Sequence, residues 1–333
     1  MTRSGERIEL VVEPREDGLV LDEFLAIRFL LHSKVFLRRI ARESGVFVDG
    51  DRSDVDRVLR AGSRVAFDWP ESGQAPYVPR EVPFGVLYED EHVIVVDKPP
   101  LVPVVPERER GGVNLVCGLL HYFARKSDAD GRPVRPRVIH RIDKETSGVL
   151  VVAKSALAER DVSGQFERRE VEKEYLALCL GEIRALEGRI DAAIAIDPAR
   201  RDRMMTSTLK RAKASLTFYR VIERFHGFTL VQVTPKTGRT HQIRVHMASI
   251  GHPLAVDPLY RGKTEIFLSE IKPDYRRKEG REEKPVIDRV TLHARRLAFF
   301  SPALGGTRVS VEAPVPKDLH RVIEYLRKHL GRG

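Results

Sequence analysis

After residue 84 the chain becomes a succession of short β-type segments, several joined by links long enough only for a hairpin, and this restricts the fold more than any other feature. Val86-Leu87-Tyr88 and Val93-Ile94-Val95-Val96 flank Glu-Asp-Glu-His, and segments 215–222 and 228–234 flank a second short turn. Further strands are expected at 149–153, 174–180, 291–299 and 307–312. Apolar residues at helical spacing predict helices over 113–126, 155–168, 240–250 and 317–330. The class is α+β, with a mixed, mainly antiparallel sheet and flanking helices. Residues 262–289 interrupt this pattern with Lys, Arg and Glu, and are expected to form an exposed basic insertion in a domain spanning 84–333.

A smaller unit precedes it. Leu21, Phe24, Leu25 and Phe29 fall at helical spacing, Ser33 is an N-cap candidate before Val35, Phe36 and Ile40, and Gly45 ends that second helix. Val46-Phe47-Val48 and Ser63-Arg64-Val65-Ala66-Phe67 then alternate like strands, so the expected order is helix, helix, strand, strand within a domain 1–69 whose core is 21–69. Residues 70–83 are Pro-rich without apolar periodicity and read as the linker.

Composition limits the partners. Lys and Arg number 58 against 48 Asp and Glu, a net charge of +10, which points to a polyanion. Arg28, Lys34, Arg38, Arg39 and Arg42 lie between the apolar positions of the small unit and give it a basic helical face suited to phosphates; a solvated face is the plain alternative. The only cysteines, Cys117 and Cys179, sit in apolar contexts as buried free thiols of a reducing compartment. No apolar run approaches the roughly 20 residues of a membrane span, and the first residues lack a signal peptide's apolar stretch, so a cytoplasmic protein is expected.

Three segments can carry chemistry. His140-Arg-Ile-Asp-Lys-Glu-Thr-Ser-Gly148 places Asp143 between two cations just before the apolar run Val149–Ala153, where it should stay ionised and can act as nucleophile or base. Taken alone, such a cluster is more often a turn whose side chains bond the backbone. Tyr175 opens the apolar segment Leu176–Cys179; a core tyrosine is the plain reading, a stacking or proton-transferring phenol the functional one. Pro235-Lys-Thr-Gly-Arg-Thr-His-Gln-Ile-Arg-Val-His-Met247 joins a strand to a helix, with Thr240 as a possible N-cap. Its cations would suit a phosphate or steer a carboxylate such as Asp143. His241 and His246 are five apart, off one helix face, so no metal pair is expected. Glycine spacing for phosphate loops or dinucleotides is absent, and no cofactor is implied. A Ser147–His140–Asp143 triad lacks the nucleophile elbow.

Read together, Tyr88–Pro100, His140–Gly148, Lys173–Ala177 and Gly238–Met247 resemble, in order and spacing, the successive motifs of the RluA-type RNA pseudouridine synthases over about residues 84–315. Residues 21–69 resemble the small RNA-binding domain named after ribosomal small-subunit protein four. The resemblance implies the pseudouridine synthase fold and an isomerisation of uridine needing no metal or cofactor. It implies Asp143 as the catalytic carboxylate, Tyr175 as the residue that stacks on the base and the candidate for C5 proton removal, and Arg244 as the partner that aims Asp143. Arg141 would insert where the target nucleotide flips out. Ile243 would pack beside the base, and His140 and Arg239 would join the RNA-contacting group. Two departures stand out: Pro100–Pro106 replaces the family's Gly-x-x-Val-His-Pro turn, and Val256 replaces a Gly before Asp257.

The leading expectation is a monomer acting on structured RNA, most plausibly large-subunit ribosomal RNA, with transfer RNA as the alternative. A non-catalytic RNA-binding or ribosome-assembly factor is the second reading, which the intact Asp143, Tyr175 and Arg244 oppose. A glycoside or nucleoside hydrolase would need a second carboxylate facing Asp143, and Glu145 lies too near in sequence.

Overall fold

The structure, a computed structural model, describes residues 5–70, 77–106, 112–126, 131, 133–276, 280 and 282–331. Much of the expected linker, and a few residues of the basic insertion, lie outside these. Two compact units emerge.

The first contains residues 1–83 together with 103–137 and 154–156. Strand β1 (Arg7–Val11), helices α1 (Leu21–Arg28) and α2 (Lys34–Ile40), and strands β2 (Val46–Val48), β3 (Asp51–Ser53) and β4 (Arg64–Asp68) follow in order. Ser33 caps α2 by accepting a 3.2 Å bond from Phe36 N–H. The sheet order is β1-β4-β2-β3. It covers α1 and α2 through Phe24, Leu25, Leu37, Val46, Val65 and Phe67. Two strands are additions to the sequence reading. The first, β1, is five residues with only Ile8 and Leu10 turned inward, and β3 is a three-residue return after Asp49-Gly50, both at positive φ as a tight hairpin turn requires.

Segment 103–137, assigned from sequence to the larger domain, belongs with this unit. Arg135 donates to the carbonyls of Phe29 (3.3 Å) and His32 (2.6 Å) beyond the end of α1, and Arg137 pairs with buried Glu23 (2.9 Å). Contacts between residues a hundred positions apart have no local sequence signature.

In the second unit, β5 (Gly85–Glu89) and β6 (Val93–Lys98) form the expected hairpin. After α3 (Leu115–Phe123) of the first unit come β7 (Arg137–Val138), β8 (Ser147–Ala153), α4 (Ala156–Arg168), β9 (Glu172–Leu180), β10 (Glu187–Asp191), β11 (Ile194–Asp197), β12 (Arg200–Thr206), β13 (Leu216–Phe225), β14 (Phe228–Pro235), α5 (Gln242–Ser249), α6 (Leu268–Ile271), β15 (Leu292–Ser301), β16 (Thr307–Glu312) and α7 (Lys317–Leu330). The ten-stranded sheet runs β10-β13-β14-β9-β15-β8-β6-β5, with β16 beside β15 and β7 beside β8; only β15–β8 is parallel among the strand pairs of this path. Strands β10 and β12, largely exposed and rich in Arg and Asp, were missed because they lack an apolar face of useful length, and the mostly buried β11 was missed because it is only four residues long.

Strand alternation sorts the layers. On β9, Leu176 and Leu178 face α7, whose Leu319, Val322, Ile323 and Leu326 recur at helical spacing, while Tyr175, Ala177 and Cys179 share a cluster with Ile243 and Met247 of α5. The described part of 262–289 is anchored rather than wholly exposed: Ile266, Ile271 and Ile287 are at most 2 % exposed in the α7 cluster. These three buried anchors are unevenly spaced, Ile271 five residues after Ile266 and Ile287 sixteen after that, so they gave no periodic signal.

Candidate active site

Sheet register builds the site. Tyr175 of β9 lies opposite Ala294 of β15, and Ala294 lies opposite Gly148 of β8, so the turn ending in Gly148 is brought into one row with Tyr175. Gly148 has φ +112°, and a Cβ there would sit 2.1 Å from the Ala294 carbonyl oxygen; only glycine fits. Its neighbour Ser147 Oγ bonds His293 Nδ1 at 3.0 Å in the interior.

The turn holding Asp143 is fastened through its backbone. Thr146 N–H donates to the Asp143 carbonyl at 3.1 Å. The fully buried Lys98 ammonium donates to the carbonyls of Pro99 (2.8 Å), Val102 (2.8 Å) and Lys144 (3.0 Å). Burial pushes Lys98 down to about 7, with Arg289 adding to the fall and Glu145 and Asp143 opposing it. Arg289, bidentate to Asp318 at 2.6 and 2.8 Å, reaches the Glu145 carbonyl at 3.4 Å. Neither Lys98 nor Arg289 stood out in the sequence, because each acts on main-chain oxygens that no residue pattern marks.

On the facing element, α5 begins at His241 in a left-handed conformation (φ +54°) with no side-chain cap, so Thr240 is not its N-cap. Gln242 organises the entry instead. Its Oε1 accepts from Thr237 Oγ1 (2.7 Å) and Arg239 N–H (3.0 Å), and its Nε2 donates to the Leu216 carbonyl (3.0 Å) and Thr217 Oγ1 (2.9 Å). This saturated amide fixes the first turn of α5 and with it the direction of Arg244.

Arg244 is the hub. Its Nε and Nη2 grip Asp257 at 2.7 and 2.8 Å, and its Nη1 reaches Asp143 at 3.4 Å. The Arg244 and Asp257 side chains are 5 % and 0 % exposed, whereas Asp143 keeps 25 %. Burial works against the guanidinium's charge, yet the Asp257 bonds and the nearby charges of Asp257, Asp143 and Glu145 raise its pKa, so the cation persists. Asp257 neutralises and aims it, and Asp143 is left with surface for a ligand. Asp257 was visible in the sequence only as a residue next to an unusual Val256. That valine is fully buried against the α7 cluster.

Partly buried Tyr175 and buried Ile243 belong to one cluster on this face. Burial first, then the charge of Asp143, pushes the Tyr175 phenol up, so it is neutral across physiological pH. Arg141 is exposed and without an ion pair among the described residues. His140 points inward: Nε2 accepts the Val151 amide at 3.1 Å and the ring stacks on Phe166 at 4.5 Å. Burial, with Lys173, lowers it to about 3, the neutral form that an acceptor role needs. Grouped in the sequence with the RNA contacts, His140 is occupied in holding the strand. Arg239 reaches the Ala214 carbonyl at 3.4 Å on the surface.

The basic residues expected to form the phosphate-binding face divide, and Arg28 binds buried Glu16 at 2.7 Å. Arg38 binds buried Asp22 (2.8 Å) and Lys34 binds buried Glu23 (3.2 Å), so both are neutralised within the fold. Arg39 lies over Phe36 with Glu43 at 4.0 Å, and Arg42 is exposed without an ion pair among the described residues.

A carboxylate with open surface, aimed by a buried arginine beside a neutral phenol, is a site for chemistry at a polar carbon next to a flat ring. The sequence model of the RNA pseudouridylate synthases matches residues 92–249, a span that contains Asp143, Tyr175 and Arg244. The ribosomal large subunit pseudouridine synthase D of Escherichia coli O157:H7 is 32% identical over 334 residues, covering 97% of this chain and 96% of that protein. An uncharacterized RNA pseudouridine synthase of Aquifex aeolicus is 35% identical over 98% of each chain. The solved human RNA pseudouridylate synthase domain containing 1 superposes with a TM-score of 0.52 at 27% identity, covering 75% of this chain and 97% of that one. The chain belongs to the RNA pseudouridine synthase family. It is an isomerase acting on RNA, and its large sheet unit has that family's fold.

Proposed function

We propose that this enzyme converts uridines of large-subunit ribosomal RNA to pseudouridine, with Asp143 as the catalytic carboxylate. The observation that carries the assignment of Asp143 is the divided guanidinium of Arg244, saturated by Asp257 on one side and offered to a partly exposed carboxylate on the other. The RNA class is supported by the Escherichia coli relative, a ribosomal large subunit pseudouridine synthase similar along nearly the whole chain. No described helix is long and apolar enough to cross a membrane, and both cysteines are buried free thiols, in keeping with work in the cytoplasm.

The reaction breaks the N1–C1′ bond, turns the uracil, joins C5 to C1′, and exchanges the C5 proton for one on N1, so no co-reactant is consumed. Asp143 acts at the ribose, either by attack on C1′ or by assisting elimination. Arg244 keeps it ionised and aimed. Tyr175, neutral at working pH, serves as the flat wall for the ring, which its raised pKa favours over service as a phenolate base. Arg141 is the side chain free to fill the place of the flipped nucleotide. Of the basic residues on the α1–α2 face, Arg39 and Arg42 remain available for phosphates, in keeping with an RNA-binding role for that unit. Mapping pseudouridines in total RNA from cells with and without the gene tests the substrate; loss of sites confined to transfer RNA would replace the ribosomal reading.

A further inference from the structure

Tyr260 carries contacts that the roles above leave unused. It is 5 % exposed and ends the 3-10 turn Pro258–Tyr260. Arg244 Cζ lies 5.2 Å from its ring centroid, so the phenol is one wall of the guanidinium that aims Asp143. Its hydroxyl bonds His241 Nδ1 at 2.9 Å and accepts the backbone N–H of Met204 at 2.8 Å. With the amide donating, the hydroxyl proton is free to go to His241, which burial keeps toward its neutral form.

Met204 lies on β12, which pairs with β11 as a two-stranded hairpin separate from the main sheet. Its inner side is small: Ile194 and Met204 pack against Val245 and Tyr260. Its outer side is cationic. Arg200 and Arg201 are exposed, and exposed Lys210 and Arg211 follow. Arg203 is neutralised by Asp197 (2.8 Å) and Arg200 leans on Asp202 (3.0 Å), but Arg201, Lys210 and Arg211 have no ion pair among the described residues. Such a surface suits phosphates, and the substrate is RNA.

We propose that Tyr260 is a positioning residue that couples the cationic hairpin Ile194–Thr206 to the Arg244–Asp143 pair, so that RNA phosphates held by the hairpin set the alignment of the carboxylate. A pull on β12 reaches the Tyr260 hydroxyl through the Met204 amide, and the ring then shifts the wall of Arg244. The Nη1 to Asp143 distance of 3.4 Å leaves room to tighten. The inference rests on the assignment of Asp143 made above.

The test measures binding and the saturating single-turnover rate separately, on an RNA fragment in which the wild-type enzyme forms pseudouridine. The variants are Tyr260→Phe, the hairpin pair Arg200→Gln with Arg201→Gln, their combination, and Asp143→Asn. Tyr260→Phe should lower the rate about tenfold with little change in Kd, the scale of a small loss of alignment. The hairpin variant should weaken binding and also lower the rate at saturation. The combination should be no slower than Tyr260→Phe, because the link is already cut. A hairpin variant that alters Kd alone, or losses that multiply in the combination, overturns the coupling. Should Tyr260→Phe melt early, the hairpin variant's saturating rate decides by itself. Loss of turnover in Asp143→Asn with multiplying effects overturns the coupling alone, whereas retained turnover overturns the catalytic assignment with it.

Discussion

Glu23 in the first unit and Asp143 in the second are both carboxylates facing buried arginines, and they differ in how completely they are used. Glu23 is 4 % exposed and takes both Arg137 and Lys34, so its carboxylate is committed to partners inside the fold. Asp143 receives one guanidinium nitrogen at 3.4 Å, because Asp257 already holds the other two, and it retains a quarter of its surface. A saturated pair serves the fold; an unsaturated one keeps capacity for a substrate.

The widest break in this contrast is Asp143→Asn, which should lower turnover by at least about 10³-fold, as loss of a covalent or proton-transferring group does, while the melting temperature and RNA Kd hold. Retained turnover, measured by pseudouridine formation, would sink the assignment. Asp257→Asn should cost about 10²-fold in rate through misaimed Arg244, and also about 3 kcal/mol of stability, because a buried guanidinium loses its charge partner. Glu23→Gln should cost about as much stability and leave the single-turnover rate unchanged. A drop in rate with Glu23→Gln would erase the distinction between the two carboxylates.

A smaller effect tests the turn's support. Lys98→Met leaves three buried carbonyls without their donor and should destabilise by about 2 kcal/mol. With Lys98 near 7 in the fold against an ordinary value of 10.5, the unfolded chain binds more protons between those limits. Wild-type stability should therefore rise relative to Lys98→Met as pH climbs from 7 toward 10, and stay parallel to it below pH 7; denaturant melts at pH 6, 7 and 9.5 check the sign. The smallest effect belongs to Leu101, which has φ +65° at 55 % exposure. Leu101→Gly should change stability by no more than about 1 kcal/mol, relief of the left-handed strain outweighing the added chain entropy. A loss of several kcal/mol would show that the Leu101 side chain matters more than its backbone.

Periodicity revealed the elements that bury a regular face. The hairpin β5–β6, the core strands β8, β9, β13 to β16, and helices α4, α5 and α7 all follow from apolar spacing. The turn at Asp143 was conspicuous by its polar density. What stayed hidden was whatever depends on partners far along the chain: Asp257 behind Arg244, Lys98 and Arg289 on main-chain carbonyls, and Arg135 and Arg137 returning to α1. A backbone oxygen looks the same under every side chain, so residue patterns carry no trace of such bonds.

Strand β9 also makes the enzyme intolerant of one kind of change. Its odd-numbered residues face α5 and its even-numbered residues face α7. Deleting a single residue between Leu176 and Leu180 would hold the polar end in register only by turning the apolar run over, and holding the apolar run would carry Tyr175 to the wrong side. Paired deletions preserve the faces but shorten the strand by a full pleat. Insertions and deletions that keep the enzyme active are therefore expected in the turns and not between Tyr175 and the apolar run behind it.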